Sequence, residues 1–227
     1  LRALLDDDQV LYIEQLLLES LIHAPEKTEE LVKMIIDYEE LPSSYTELLQ
    51  SLPNDVLADV LISGYLESQD HIFFDPIPNF IFTRDIAVVV KDHVIITKAA
   101  KQARYRENIL TRFIFWAHPM FADLQESGKI INLNRVDLFP PSKKGEIVSI
   151  EGGDMMMLEG EYLLIGSSER TTEHAIHSLK AALFEKDVIK NVVLVNIPNE
   201  RSFMHIDTLF TRIHYNHIVA FKPIVYE

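Results

Sequence analysis

The sequence predicts an α/β protein with two parts, a helical bundle over residues 1–70 and a modular α/β region over residues 71–227. In the first part, apolar residues recur every three or four positions, which is typical of amphipathic helices. In the second part, short apolar runs alternate with turns and helical stretches, which is typical of hairpins and crossover helices. The charge changes at the same place, since the first part carries 16 acidic and 3 basic residues and the second carries 19 and 18.

Four helices are predicted in the first part. The first ends before Pro25, because proline disfavours helical geometry in the residue that precedes it. Thr28 can cap the second helix, Ser44 and Glu47 have capping-box spacing for the third, and the fourth begins near Asn54. The predicted apolar faces are Val10, Ile13, Leu17 and Leu21, then Leu31, Met34, Ile35 and Tyr38, then Leu48 and Leu49, and then Val56, Leu57, Val60 and Leu61.

Three hairpins are predicted in the second part, each with two apolar runs around a short polar turn. They are Ile86–Val90 with His93–Thr97, Met155–Leu158 with Tyr162–Ile165, and Leu209–Ile213 with His217–Phe221. The predicted helices are Ala103–Trp116 and Thr171–Glu185, and the further strands are Lys129–Leu133, Glu146–Ile150 and Asn191–Asn196.

The hairpins share a pattern of charged residues. Asp85 precedes the first hairpin, Asp154 the second and Asp207 the third, and Arg104 and Arg170 follow the first two at the start of a helix. Such repetition predicts ββαβ units arranged around an axis, with the acids converging at one end. The alternative is chance, because aspartate is common before strands and any two hairpins look alike at this level.

Composition excludes several classes of function. No apolar run is long enough to span a membrane, and an acidic chain with a net charge of −14 repels nucleic acid. The absence of cysteine excludes disulfides and suits a cytoplasmic location. The sequence contains no phosphate-binding glycine loop, serine elbow or dinucleotide fingerprint, so we expect no cofactor.

The segment Glu151–Asp154 places two carboxylates around two glycines. Glycine permits close approach of other groups to the backbone, which both a tight turn and a binding pocket require. The pattern therefore leaves a structural and a functional interpretation open.

The triplet His205-Ile206-Asp207 has the residue types of general acid/base chemistry. Strand alternation would place His205 and Asp207 on one face, where a carboxylate favours the charged form of histidine. The alternatives are an ion pair without function, or two metal ligands with Glu151 as a third.

Arg104 and Arg170 are either surface charges or ligands for a carboxylate, which arginine holds by two parallel hydrogen bonds. Asp85 could likewise pair on the surface with its neighbour Arg84. If these groups share one site, carboxylates lie at one end and guanidinium groups at the other. Arginine itself complements such a site.

The chain resembles arginine deiminase, a member of the guanidino-group-modifying superfamily with the pentein α/β-propeller fold. The resemblance covers about residues 75–225, and the helical bundle resembles the family's helical insertion. The segments that carry it are PNFIFTRD at 78–85, ARYRE at 103–107, EGGD at 151–154, SERT at 168–171 and MHIDT at 204–208.

The resemblance implies hydrolysis of L-arginine to citrulline and ammonia through a cysteine thiouronium intermediate, without a metal or a cofactor. It also implies a role for each matched residue. Asp85 and Asp207 would hold the guanidinium, Glu151 and His205 would move protons, Arg104 and Arg170 would bind the α-carboxylate, and Asn79 would help to position the substrate.

The chain departs from the family pattern because it ends at Glu227 without a cysteine. We therefore expect a partial propeller that cannot turn over arginine and that self-associates through exposed sheet edges. The expected partner is a small guanidine, and neither nucleic acid nor membrane is expected. The alternatives are a non-catalytic guanidine-binding relative and a metal-dependent hydrolase that uses Glu151, His205 and Asp207.

Overall fold

The computed structural model describes residues 10–198 and 200–225 and shows a mixed α/β protein. It divides into two compact units, the first comprising the residues up to Asn79 with Ile109–Ser127, and the second Phe80–Asn108 with the residues from Gly128 onward. The predicted boundary near residue 70 lies inside the first unit. The backbone explains this, because Phe73 donates its N–H to the carbonyl of Gly64 and Ile77 donates to Ile62.

The first unit is mainly helical. Gly64, which follows the helix that ends at Ser63, has a φ of +75°, and a Cβ there would overlap the carbonyl of Phe74, so this position requires glycine. Its helices are α1 (Ile13–His23), α2 (Pro25–Tyr38), α3 (Ser44–Gln50), α4 (Asn54–Ser63) and α7 (Ala122–Glu126), and its short strands β1 (Tyr65–Leu66) and β2 (His71–Ile72) pair antiparallel.

Helix α2 differs from its prediction in both start and buried face. It begins at Pro25, which is well suited to the first helical position, and Thr28 lies inside the helix and donates to the carbonyl of Ala24. Met34 is exposed and next to Arg112. The buried residues are Leu31, Val32, Ile35 and Ile36.

The second unit contains two sheets of the same design and a third hairpin. In each three-stranded sheet an antiparallel hairpin is followed by a helix and a strand that pairs parallel to the second hairpin strand. The first sheet is β3 (Ala87–Val90), β4 (His93–Ile96) and β5 (Ile130–Asn132), the second is β6 (Met155–Met157), β7 (Tyr162–Ser167) and β8 (Asn191–Asn196), and the third hairpin is β9 (Phe210–His214) with β10 (His217–Ala220).

The remaining helices are α5 (Thr83–Ile86), α6 (Tyr105–Ala117), α8 (Glu173–Glu185) and α9 (Lys222–Val225). The boundary between the two units falls within α6. The strand predicted at Glu146–Ile150 is wrong, because only Ile150 forms a bridge, with Lys98.

The apolar core of the second unit lies between its two sheets and α8. Representative members are Val90, Ile95, Met155, Ile165 and Leu179, all fully buried. A second cluster on the second sheet includes Ile206 and Leu209, which hold the chain before β9 against this sheet. The two clusters thus bring the starts of all three hairpins to one region.

The hairpin β9–β10 remains largely exposed, including the side chains of Ile213, Ile218 and Val219. Self-association through such a surface stays a prediction, as does the arrangement of the units in a ring. Within the described ranges, no helix combines the length and the apolar content that crossing a bilayer demands.

Candidate active site

One helical turn precedes each hairpin of the second unit and carries one of the three aspartates. These turns are α5 with Asp85, the 3₁₀ turn Gly152–Asp154, and the 3₁₀ turn Ile206–Thr208 with Asp207. The middle turn packs against both of the others. The repeated pattern in the sequence therefore corresponds to three turns that lie side by side.

The glycine pair makes this packing possible. A Cβ at Gly152 would overlap the backbone carbonyl of Arg84, and a Cβ at Gly153 would approach Cγ of His205 to 2.6 Å. Both glycines thus serve close approach, and Gly153 brings the imidazole directly against the turn that follows Glu151.

Glu151 and His205 form the central pair of the site. Glu151 is 1% exposed, its Oε2 lies 2.8 Å from Nε2 of His205, and its Oε1 accepts from the N–H of Ala100 at 3.1 Å. Burial acts to raise the pKa of Glu151, but the hydrogen bonds from His205 and Ala100 and the charge of Arg104 outweigh it, so the pKa lies below its usual value.

Burial also acts to lower the pKa of His205. The hydrogen bond with Glu151 and the charges of Asp154, Asp85 and Glu151 outweigh burial, so this pKa lies above its usual value. The two shifts favour a carboxylate beside an imidazolium. This arrangement suits a histidine that delivers a proton to a leaving group.

Strand alternation predicted that Asp207 and His205 lie on the same face of a strand. This prediction is wrong, because residues 206–208 form a 3₁₀ turn. Oδ2 of Asp207 instead lies 3.4 Å from Nη1 of Arg84, with the side chains 29% and 45% exposed. Burial raises the pKa of Asp207, an effect that Arg84 and His205 oppose and Asp85 reinforces. Asp207 is thus a half-buried carboxylate with an exposed partner.

Asp85 pairs with Arg104 and not with its neighbour Arg84. Its Oδ2 accepts from Nη1 of Arg104 at 2.9 Å, and its Oδ1 accepts from the N–H of Gly153 at 3.2 Å. Both carboxylate oxygens therefore have donors within the protein. Arg84 also donates to the carbonyl of Met155, next to the middle turn.

Arg104 is 5% exposed and contacts three carboxylates. Besides Asp85, its Nη1 lies 3.4 Å from Oε2 of Glu151, and its Nε and Nη2 each lie 2.9 Å from Oε2 of Glu107. Burial acts to lower the pKa of Arg104, but Glu107 above all, with Asp85 and Glu151, raises it. Its guanidinium is firmly charged and forms the centre of a buried ion network.

Arg170 lies at the edge of the same network. Its Nη1 is 3.7 Å from Oε1 of Glu151 and its Nη2 is 3.4 Å from Sδ of Met204. Neither arginine stands opposite the carboxylates, so the expected separation of charge into two ends is wrong. The physical reason is that a buried carboxylate is costly unless a cation lies close to it.

Asp154 has a role that sequence reasoning missed. It is fully buried, and its Oδ2 accepts from the hydroxyls of Ser168 and Thr171, both at 2.6 Å, while its Oδ1 accepts from the N–H of Ile206 at 3.0 Å. Gly166 leaves room for it, since a Cβ there would lie 2.6 Å from Oδ1. Burial raises the pKa of Asp154 against the effect of these donors.

Asp154 therefore ties the loop that carries Arg170 to the turn that follows His205. The signals for it in the sequence were its position before the second hairpin and its place in the segment Glu151–Asp154. Glu107 and Arg84 were also missed, although they lie inside the segments ARYRE and PNFIFTRD that carry the family resemblance. Asn79 belongs to the first compact unit, whereas the other predicted site residues belong to the second.

A metal ion could draw ligands from Asp85, Glu151 and His205, whose ligand atoms lie within 4.8 Å of one another. The sequence predicted Glu151, His205 and Asp207 as metal ligands, whereas in the structure Asp85 takes the place of Asp207. However, Arg104 already contacts both carboxylates. A metal would have to displace this buried guanidinium, so the donor set does not favour one.

The sequence model of the arginine deiminase family matches residues 62–227. The arginine deiminase of Listeria monocytogenes serovar 1/2a is 34% identical over 227 residues, covering 91% of this chain and 52% of the relative. That of Staphylococcus aureus (strain MRSA252) is 33% identical over 241 residues, covering 96% of this chain and 55% of the relative. The chain thus spans about half the length of the curated relatives it matches.

Among solved structures, a DDAH from Pseudomonas aeruginosa in complex with citrulline matches with a TM-score of 0.47 and 22% identity. The match covers 66% of this chain and 50% of that chain.

Proposed function

Because the chain belongs to the arginine deiminase family, we propose that it provides the substrate-holding and proton-transferring part of an enzyme that hydrolyses L-arginine to L-citrulline and ammonia. The single observation that carries this proposal is the buried Glu151–His205 pair beside Asp85. Relatives in the family act on guanidino groups, and this cluster combines a carboxylate for a cation with a charged histidine for a leaving amine.

We propose that the ββαβ units belong to a pentein propeller and that the helical bundle is an insertion into it. Two sheets with the same order and direction of strands support the repeat, and the third hairpin begins a further copy. The three helical turns at the hairpin starts then correspond to the site end of the propeller.

In the proposed mechanism, Asp85 and Asp207 hold the planar guanidinium of the substrate and orient its central carbon for attack. A cysteine thiolate forms a bond to this carbon, and His205 gives its proton to the amine that leaves as ammonia. Glu151 keeps His205 charged before this step. Water then replaces the thiolate, with His205 as the base, and releases citrulline.

The nucleophile is not among these 227 residues, since they contain no cysteine. We therefore expect the isolated chain to form no citrulline from arginine, measured by a colorimetric citrulline assay over hours. Turnover at an ordinary enzymatic rate would contradict the assignment of the chemistry to a thiolate. The second candidate, a guanidine-binding relative without catalysis, rests on the same absence of cysteine.

The binding part of the proposal is tested by titration calorimetry with L-arginine. Asp85→Asn should weaken binding strongly, since removing one partner of a buried charge pair costs about 2–5 kcal/mol. Asp137→Asn is the matched control, because Asp137 forms an exposed ion pair with Arg135. The proposal fails if the parent chain does not bind arginine, or if both variants lose affinity equally.

A further inference from the structure

Both aspartates that we assign to the substrate guanidinium are already paired with guanidinium groups of the chain. Asp85 contacts Arg104 at 2.9 Å and Asp207 contacts Arg84 at 3.4 Å. The two pairs differ in burial, with side-chain exposures of 14% and 7% for the first and 29% and 45% for the second. Water can replace Arg84 easily, whereas Arg104 is a buried competitor for the site.

A substrate guanidinium can pair with Asp85 only if Arg104 withdraws. One oxygen of Asp85 is taken by Arg104 and the other by the N–H of Gly153. The same Nη1 of Arg104 also lies 3.4 Å from the Glu151 oxygen that His205 contacts. Arg104 thus stands where a ligand cation would meet the acid/base pair.

The contact with Glu107 can hold one side of the Arg104 guanidinium while the other side moves. Glu107 lies three residues further along and binds the Nε side of the guanidinium, while Nη1 reaches the two other carboxylates. The side chain can therefore release Asp85 and keep its strongest partner. Its free Nη1 then needs a new anion, because an uncompensated buried charge is costly.

We propose that Arg104 is a specificity-determining residue that occupies the guanidinium site until the carboxylate of the incoming substrate draws it away. A guanidine with a carboxylate supplies both the cation that Asp85 requires and the anion that Arg104 requires. A guanidine without a carboxylate displaces Arg104 from Asp85 but provides no anion for its guanidinium. This inference rests on the proposed function and adds how the site rejects simple guanidines.

The test compares L-arginine with agmatine, which has the same guanidinium and chain but no carboxylate, by titration calorimetry on the whole chain. The parent chain should bind agmatine at least about tenfold more weakly than arginine, a loss typical of an unmatched buried charge. Arg104→Met should bind arginine more weakly and agmatine about tenfold or more tightly than the parent chain does, because the competitor is gone.

Arg170→Met is the matched control. It also removes one positive charge near Glu151, at 3.7 Å, but Arg170 has no contact with Asp85 among those the structure describes. This variant should weaken arginine binding and leave agmatine binding within about threefold of the parent chain. An equal gain in both variants would show a general effect of net charge and overturn the proposal.

The proposal is also overturned if agmatine binding does not rise in Arg104→Met while arginine still binds the parent chain, an outcome that leaves the proposed function intact. Loss of arginine binding by the folded parent chain would refute the proposed function itself. If circular dichroism shows that Arg104→Met does not fold, Arg104→Lys decides the question. Arg104 contacts Asp85 and Glu107 through different nitrogens, whereas lysine has a single cationic nitrogen, so agmatine should again bind more tightly than it binds the parent chain.

Discussion

Glu151→Gln is expected to destabilise the second compact unit by about 3–5 kcal/mol, because breaking a buried ion pair leaves its partners uncompensated. His205 loses its hydrogen-bonded carboxylate and Arg104 loses one of three anions. The measurement is urea denaturation, since guanidinium salts would compete for the site. Glu146→Gln, the same change on an exposed loop residue, should stay within about 0.5 kcal/mol of the parent chain.

The destabilisation should depend on pH. The pKa of His205 is raised above its usual 6.5, so its contribution is fully present below 6.5 and is lost as pH rises through the folded value. The pKa of Glu151 is lowered from 4.5, so its contribution is present above 4.5 and is lost as pH falls through the folded value. The difference between the parent chain and Glu151→Gln should therefore be largest between these two usual values.

The same variant should lower the pKa of His205, measured from its imidazole proton shifts in NMR titrations. Burial remains in the variant and disfavours the charged ring, whereas the carboxylate that opposed burial is absent. An unchanged His205 pKa would mean that the Glu151–His205 contact is not energetically important. Asp154 and Asp85 still favour the charged ring in the variant. The pKa of His205 should therefore fall by less than burial alone would lower it.

Asp154→Ala is expected to destabilise the same unit by about 3–9 kcal/mol, because three donors around this buried carboxylate each lose an acceptor worth about 1–3 kcal/mol. These donors are the hydroxyls of Ser168 and Thr171 and the N–H of Ile206. Urea denaturation gives the size of the loss. Hydrogen exchange should accelerate first at residues 168–171 and 205–207, the two segments that Asp154 connects.

Asp154→Asn should lie between the parent chain and Asp154→Ala. The amide oxygen of asparagine still accepts hydrogen bonds, whereas its NH₂ group faces other donors, which is unfavourable. The substitution also removes the cost of burying a charge, which is favourable. Asp137→Ala is the exposed control and should change stability by less than about 0.5 kcal/mol. Equal stability of Asp154→Ala and this control would refute the connecting role of Asp154.

Much of the second unit could be predicted because strand and helix periodicity is a local property of the chain. All three predicted hairpins are present, with ends shifted by a few residues. The errors arise where local signals compete. At residues 83–86 a helical turn precedes the strand, and at 206–208 a 3₁₀ turn replaces the strand that placed His205 and Asp207 on one face.

The amino-acid sequence by itself determined the α/β class, the recurrence of an aspartate before each hairpin and the family to which the chain belongs. Only the tertiary structure decided which charge meets which. Asp85 pairs with Arg104 and not with its sequence neighbour Arg84. Arg84 pairs with Asp207, which lies 123 positions further along the chain. Asp154 accepts hydrogen bonds from two segments that are distant in the sequence. The physical reason is that a local pattern sets backbone geometry, whereas a buried charge selects its partner from whatever groups packing brings within hydrogen-bond distance.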